Sequence, residues 1–167
     1  NKETDISFIP VENSQAGRVA DIHNLLPKTK LVITGEYFLK IDHQLLGVKE
    51  TSLKKIDSAI SHFHALAQCR EFLNGQKIKS VLGTDTAGAA EDLSKNRKKN
   101  VAAIASSLAA KIYDLKILKH NIQDAQHNTT RFFIMKDQLN EKKINGIEYI
   151  TSFLFKIRNM PSALYKA

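Results

Sequence analysis

The sequence predicts an α/β protein, on three observations. Short apolar runs with strand character alternate along the chain with stretches of helical spacing. Pro, Gly and Asn stand at the joints between them. A composition of 43% hydrophobic and 25% charged residues over 167 positions suits a soluble chain that buries a core, one domain by length with a second begun.

Residues 6–11 form a mostly apolar run closing in Pro10-Val11-Glu12-Asn13, the pattern of a buried strand entering a loop. Asn13-Ser14 with Gly17 suits a turn in which backbone comes close to another group. Val19, Ile22, Leu25 and Leu26 recur at helical spacing until Pro27 stops them. Residues 31–41 read as strand, with Tyr37, Leu39 and Ile41 at every second position, and residues 43–48 extend the pattern. Residues 56–60 are a weaker strand. Residues 64–73 carry a helical pattern (Leu66, Cys69, Phe72, Leu73) ended by Asn74-Gly75. Residues 78–82 read as strand, 86–93 and 101–113 as two alanine-rich helices, and 131–135 as strand. The charged stretch 136–143 reads as a linker, 149–158 as another strand, and Pro161 sits where a helix should begin. A strand plus half a helix cannot bury its own apolar face, so a fragment is expected here.

The formal net charge of +8, with its tightest basic run at residues 95–99, could serve nucleic acid, an acidic membrane surface or an anionic metabolite. Scattered lysines, no aromatics within the basic run and no tryptophan argue against nucleic acid. The longest apolar stretch, residues 101–110, is too short to span a bilayer. The opening Asn1-Lys2-Glu3-Thr4-Asp5 lacks the apolar region of a signal peptide. A single cysteine, Cys69, permits no internal disulfide, and the histidines have no metal spacing. A cytoplasmic protein without a metal or other cofactor, binding neither membrane nor nucleic acid, is the expectation.

Seven segments then stand in a telling order. They are Pro10-Val11-Glu12-Asn13-Ser14 with Gly17; Gly35-Glu36 through Leu39 and Ile41 to His43-Gln44-Leu45-Leu46; Ser61 through His64-Ala65-Leu66-Ala67-Gln68-Cys69; and Asp85-Thr86-Ala87-Gly88-Ala89-Ala90. Ala103-Ile104-Ala105 to Tyr113, Ile122-Gln123-Asp124 and Asn128-Thr129-Thr130-Arg131-Phe132 complete the set. Together they resemble the prephenate dehydratases. The resemblance implies a two-lobed, periplasmic-binding-protein-like (type 2) α/β dehydratase domain over residues 1–138, N-terminally incomplete. Residues 1–41 and about 128–138 would form one lobe and 42–127 mainly the other, with the active site between them. It further implies a linker at 139–148 and the opening of an α+β ACT regulatory domain at 149–167, truncated before its phenylalanine site is complete, with Ala163 and Leu164 as part of that site. Ser162 stands where the family usually has glycine.

The implied reaction converts prephenate to phenylpyruvate, carbon dioxide and water, with arogenate as an alternative substrate. A small-anion binding module without catalysis is the competing reading. L-Phenylalanine is the implied feedback effector of the intact protein, and a homodimer or homotetramer the implied assembly. Such a site must anchor one carboxylate, donate to the departing hydroxyl and leave the other carboxylate poorly solvated. Carried over, Thr130 sits at the leaving hydroxyl as an oriented donor, with Asn13 and Gln68 as catalytic partners. Ser14, Gly17, Ser61, His64, Thr86, Arg131 and Phe132 are the expected substrate contacts. Several keep a plainer reading beside the functional one. Arg131 is either a bidentate carboxylate clamp or a structural ion pair, with Asp124 the candidate partner. Thr86 is also a candidate helix cap, His43 a satisfied interior histidine, and Cys69 a core residue rather than an activated thiolate.

Overall fold

The structure is a computed structural model that describes residues 4–137, with only residues 146, 148, 160, 162 and 165 beyond them. The expected linker at 139–148 and the ACT opening at 149–167, with Ala163 and Leu164, otherwise lie outside the described residues. Ser162 has φ 62°, in the left-handed region that favours glycine. None of the described helices is long and apolar enough to cross a membrane.

Two compact units emerge. One takes in the described parts of Asn1–Val11, Val19–Tyr37 and Arg131–Ala167; the other comprises Glu12–Arg18 and Phe38–Thr130. The loop after Val11 and the stretch up to Thr130 thus group with the larger unit.

The strands β1 (Ser7–Asn13), β2 (Gly17–Arg18), β3 (Val32–Lys40) and β9 (Thr129–Lys136) make a four-stranded sheet in the order β2-β1-β9-β3. Its period-two pattern is simple. Val11 and Ile9 on β1, Phe133 and Met135 on β9 and Ile33 on β3 pack with Ile22 of helix α1 (Ala20–Leu25). The intervening positions face the other way, where Phe8 stacks on Phe132 with ring centroids 4.5 Å apart.

The larger unit holds a five-stranded sheet of β4 (Gln44–Gly47), β5 (Ser58–Ser61), β6 (Lys79–Leu82), β7 (Val101–Ala105) and β8 (Lys116–Lys119). Its order is β6-β5-β7-β4-β8; β5 runs parallel to β6 and β7, whereas β4 runs antiparallel to β7 and β8. Residues 43–48 therefore start a separate sheet and do not extend β3. Helices α2 (Phe63–Gln68) and α3 (Arg70–Gly75) cover one face, where Leu45, Ala59, Ala102 and Ile104 meet Leu66, Cys69 and Leu73. Helices α4 (Thr86–Asn96) and α5 (Ser107–Ile112) supply the other, where Leu46, Ala103 and Ala105 meet Ala90, Leu93 and Ala109.

Three sequence expectations change here. Residues 101–113 are not one alanine-rich helix but strand β7, a turn, and helix α5. A strand covered on both faces shows no alternation, and alanine there lets both helical layers come close. Ser106 marks the switch by capping α5, its Oγ accepting from Ala109 N at 3.1 Å. The expected helix over 64–73 is broken at Cys69, where the 122–124 segment intervenes: Asp124 N donates to Gln68 O at 2.7 Å, and the Asp124 carboxylate accepts from Glu71 N at 3.2 Å. Asp85, not Thr86, caps α4, accepting from Gly88 N at 2.6 Å; Thr86 is its first helical residue. Strand β8, rich in lysine, gave no signal.

Candidate active site

All of the site lies within the larger unit, and it is built from the end of β1 upward. Asn13 closes a tight turn: its Oδ1 accepts from Gln15 N at 3.0 Å and from Ala16 N at 2.8 Å. Gly17, at φ 78°, returns the chain into β2 opposite Asn13. The turn is laced to the segment leading into β9. Ser14 N donates to Thr129 O at 2.9 Å, Ser14 Oγ donates to His127 O and accepts from Thr129 N, both at 3.0 Å, and Gln15 Nε2 donates to His127 O at 2.9 Å.

This lacing fixes the polarity of everything that follows. Backbone N–H groups only donate, so the Asn13 atom facing Gln15 and Ala16 must be its oxygen, and its NH2 points the other way. That NH2 donates to Asn128 Oδ1 at 2.8 Å and to Thr130 Oγ1 at 2.9 Å. Asn128, almost wholly buried, therefore presents its own NH2 onward, to Gln68 Oε1 at 2.9 Å. The same Gln68 oxygen lies 2.8 Å from His43 Nε2. Two consequences follow. Gln68 has its oxygen filled and keeps its NH2 for a ligand, and Thr130, accepting from Asn13, keeps its hydroxyl hydrogen for a ligand.

Beside this chain lies a cavity of about 270 Å³ lined by Gln15, Ala16, His64, Ala67, Gln68, Gln123, Asp124, Ala125 and Asn128. Its polar lining is mostly neutral amide, which suits an anion without an oppositely charged residue at every oxygen. Gln123 is held rigid, donating to Asp42 Oδ1 at 3.1 Å and accepting from His43 N at 3.0 Å. Asp124 is the acidic member, its charge turned on the first turn of α3 through Glu71 N. Burial, and then the nearby Asp124 charge, pushes the Cys69 thiol up to about 12, so it is a core residue and no nucleophile. Among the described residues no group of three or more His, Cys, Asp or Glu is placed to hold a metal ion.

Residues 1–140 match the family model of prephenate dehydratase. The chain belongs to the prephenate dehydratase family. It is 41% identical over 163 residues to the bifunctional N-acyl-homoserine lactone acylase/prephenate dehydratase of Komagataeibacter europaeus, covering 98% of this chain and 58% of that one. It is 39% identical over 163 residues to arogenate dehydratase/prephenate dehydratase 1 of Arabidopsis thaliana, a chloroplastic protein, covering 98% of this chain and 41% of that one. Among solved structures, the prephenate dehydratase of Arthrobacter aurescens in complex with L-Phe superposes with a TM-score of 0.77 at 28% identity, covering 86% of this chain and 49% of that one. The chain thus spans about half the length of the relatives it matches.

Within this chain the expected site residues separate into two sets. Asn13, Ser14, Thr130 and Gln68 come together in one hydrogen-bonded system and Gly17 shapes its turn; Gln68 and His64 line the cavity, whereas Asn13, Ser14 and Thr130 are not among its lining residues. The other four are elsewhere. Ser61 is wholly buried and donates to Ile104 O at 2.7 Å, tying β5 to β7, so it offers no surface to a ligand. Thr86 opens α4 and does not line the cavity. Arg131 sits in the other unit and pairs with Glu36, not Asp124: Nε and Nη2 reach one carboxylate oxygen at 2.7 and 2.6 Å, with the guanidinium 5.2 Å over the Phe133 ring. Its fork is taken by the protein, which corrects the carboxylate-clamp expectation. Phe132 stacks on Phe8 in that same unit.

The sequence reading named Asn128 and Gln123 only as parts of motifs, and passed over Gln15. Their signal was local. Gln15 follows Ser14, and Asn128 stands two places before Thr130.

Proposed function

We propose that the protein carrying this chain is a prephenate dehydratase, converting prephenate to phenylpyruvate with loss of carbon dioxide and water. The observation that carries this reading is the directed hydroxyl of Thr130: Asn13 Nδ2 fills its acceptor side at 2.9 Å, leaving the O–H to donate. Departure of the ring hydroxyl leaves negative charge on oxygen, and loss of the ring carboxylate as carbon dioxide supplies the electrons that complete the aromatic ring. A positioned donor at the leaving oxygen lowers that barrier, and one such donor is worth roughly 10²–10³ in rate. Threonine is a weak acid, so Thr130 acts as an oriented hydrogen-bond donor, and a proton taken up from solvent turns the departing hydroxide into water. The Gln68 NH2 binds a substrate oxygen without placing a charge beside the carboxylate that must leave.

Arogenate is the second reading. The Arabidopsis relative carries both activities in its name, and the Asp124 carboxylate on the cavity wall suits the ammonium that arogenate has in place of the keto group of prephenate. Comparing kcat/KM for the two substrates, with Asp124→Asn beside the wild type, decides between them. We read the two compact units as the lobes of a periplasmic-binding-protein-like dehydratase, residues 139–148 as a linker and 149–167 as the start of an ACT domain. L-Phenylalanine as effector, a homodimer or homotetramer, and a cytoplasmic location belong to the same reading of the intact protein. The test is direct: purified intact protein should release phenylpyruvate from prephenate, and Thr130→Ala should abolish most of that rate. Undiminished turnover in Thr130→Ala removes the assigned role.

A further inference from the structure

We infer that His43 is a positioning residue of this site, acting through Gln68. The inference rests on the dehydratase reading above for its rate assay and on hydrogen-bond geometry for its logic. The Gln68 oxygen faces two groups, Asn128 Nδ2 at 2.9 Å and His43 Nε2 at 2.8 Å. Asn128 is committed as a donor by the chain of amides that starts at the Gln15 and Ala16 N–H groups, so the Gln68 atom it meets is the oxygen. An amide oxygen cannot donate, and His43 must therefore carry its proton on Nε2. With that proton in place the reverse orientation of Gln68 sets N–H against N–H on the His43 side, and the Gln68 NH2 is held toward the cavity.

His43 is suited to this task by its mounting. It is 7% exposed, and its backbone is pinned on both sides, N to Gln123 Oε1 at 3.0 Å and O to Ile122 N at 2.9 Å. It does not itself line the cavity. Without it, Asn128 alone would hold the Gln68 oxygen, and one hydrogen bond in place of two would oppose the turning of the amide. His43 thereby reinforces, with Asn128, the orientation in which the NH2 end of Gln68 meets the substrate anion.

The test is a double-mutant cycle in the intact protein with His43→Leu, His43→Gln, Gln68→Leu and the double variant His43→Leu/Gln68→Leu. Each is measured for kcat/KM with prephenate, for prephenate affinity by calorimetry, and for thermal midpoint. We expect His43→Leu to lose roughly tenfold to a hundredfold in kcat/KM, the cost of releasing a buried partner. In the Gln68→Leu background the same change should cost less than about twofold, because there is no amide left to orient. His43→Gln, which restores an N–H donor, should recover part of the loss. Histidine ring nitrogen spectra of the wild type should place the neutral-form proton on Nε2.

Equal losses from His43→Leu with and without Gln68 overturn the inference while the dehydratase reading stands, as does a proton on Nδ1. If the wild type binds prephenate without turnover, the dehydratase reading fails and the cycle is read in affinity instead, with the same two outcomes. A wild type that neither binds nor converts prephenate overturns both.

Discussion

Replacing Asn13 by aspartate changes one NH2 to oxygen at nearly constant shape, and its effect can be worked from the hydrogen-bond directions. The introduced carboxylate would still accept from Gln15 N and Ala16 N, so the turn persists. Its second oxygen would face Thr130 Oγ1 and Asn128 Oδ1, now at 2.9 and 2.8 Å from a donor that no longer exists. Thr130 would then donate to that carboxylate, since a hydrogen bond to a carboxylate is about twice as strong as a neutral one. Its hydrogen would be turned from the substrate to the protein. Losing one preorganised donor costs about 10²–10³ in kcat. Stability should suffer far less: two bonds of about 1 kcal/mol each are lost, and the new Thr130 bond offsets part of that. A net cost of about 1 kcal/mol lowers the thermal midpoint by roughly 2–4 °C in a chain of this size. The assay pairs phenylpyruvate release with thermal unfolding for wild type, Asn13→Asp and Asn13→Ala; the alanine variant also strips the turn of its acceptor and should melt lower than Asn13→Asp. An Asn13→Asp enzyme within about threefold of wild-type kcat would refute the directed-amide argument.

Other consequences are open to simpler assays. Cys69 should resist thiol reagents in the folded protein and react at once in denaturant, because its titration is pushed up from 9.0 to about 12 by burial and then by Asp124. The raised value favours the neutral thiol in the folded state, so its contribution is intact below about pH 9 and is lost as the pH climbs toward 12. The thermal midpoint of wild type should accordingly fall more steeply over that range than that of Cys69→Ala; parallel curves would contradict the assignment. Arg131→Lys should lose about 1–2 kcal/mol of stability, since lysine cannot reproduce the forked contact with Glu36, while KM for prephenate stays close to wild type. A large rise in KM would return Arg131 to the substrate. Asp85→Ala should cost about 1 kcal/mol in chemical denaturation through the lost cap on α4, with Thr86→Ala costing less.

Much of this architecture was legible because the sequence obeys simple periodicities. Strand β3 was legible from alternation, β1 from a mostly apolar run and β9 from residues 131–135, and the three pack around Val11, Phe133 and Met135. Strand β7 failed for the opposite reason. Ala102, Ala103, Ile104 and Ala105 are all buried, on alternate faces of a doubly covered strand, and a run of small apolar residues looks helical when no face is left exposed. The signal that could have divided it is Ser106-Ser107, a cap followed by a helix start. At the site, the residues with chemically obvious side chains were easy to select, but their partners were set by long-range folding. Arg131 was offered to Asp124, seven positions away, whereas the fold delivers Glu36. Gln68 was chosen without His43, although the two lie 25 positions apart in sequence and 2.8 Å apart in space.

The central claim is that the Thr130 hydroxyl donates to the departing oxygen of prephenate. Its most direct test is the rate of phenylpyruvate formation by the intact protein with threonine, serine or valine at position 130. Valine keeps the β-branched shape that suits strand β9 and removes only the hydroxyl. The account predicts phenylpyruvate from the wild type, a substantial rate for Thr130→Ser, and a loss of about 10²–10³ for Thr130→Val at unchanged fold. Wild-type turnover in Thr130→Val, or no phenylpyruvate from the wild type, would contradict it.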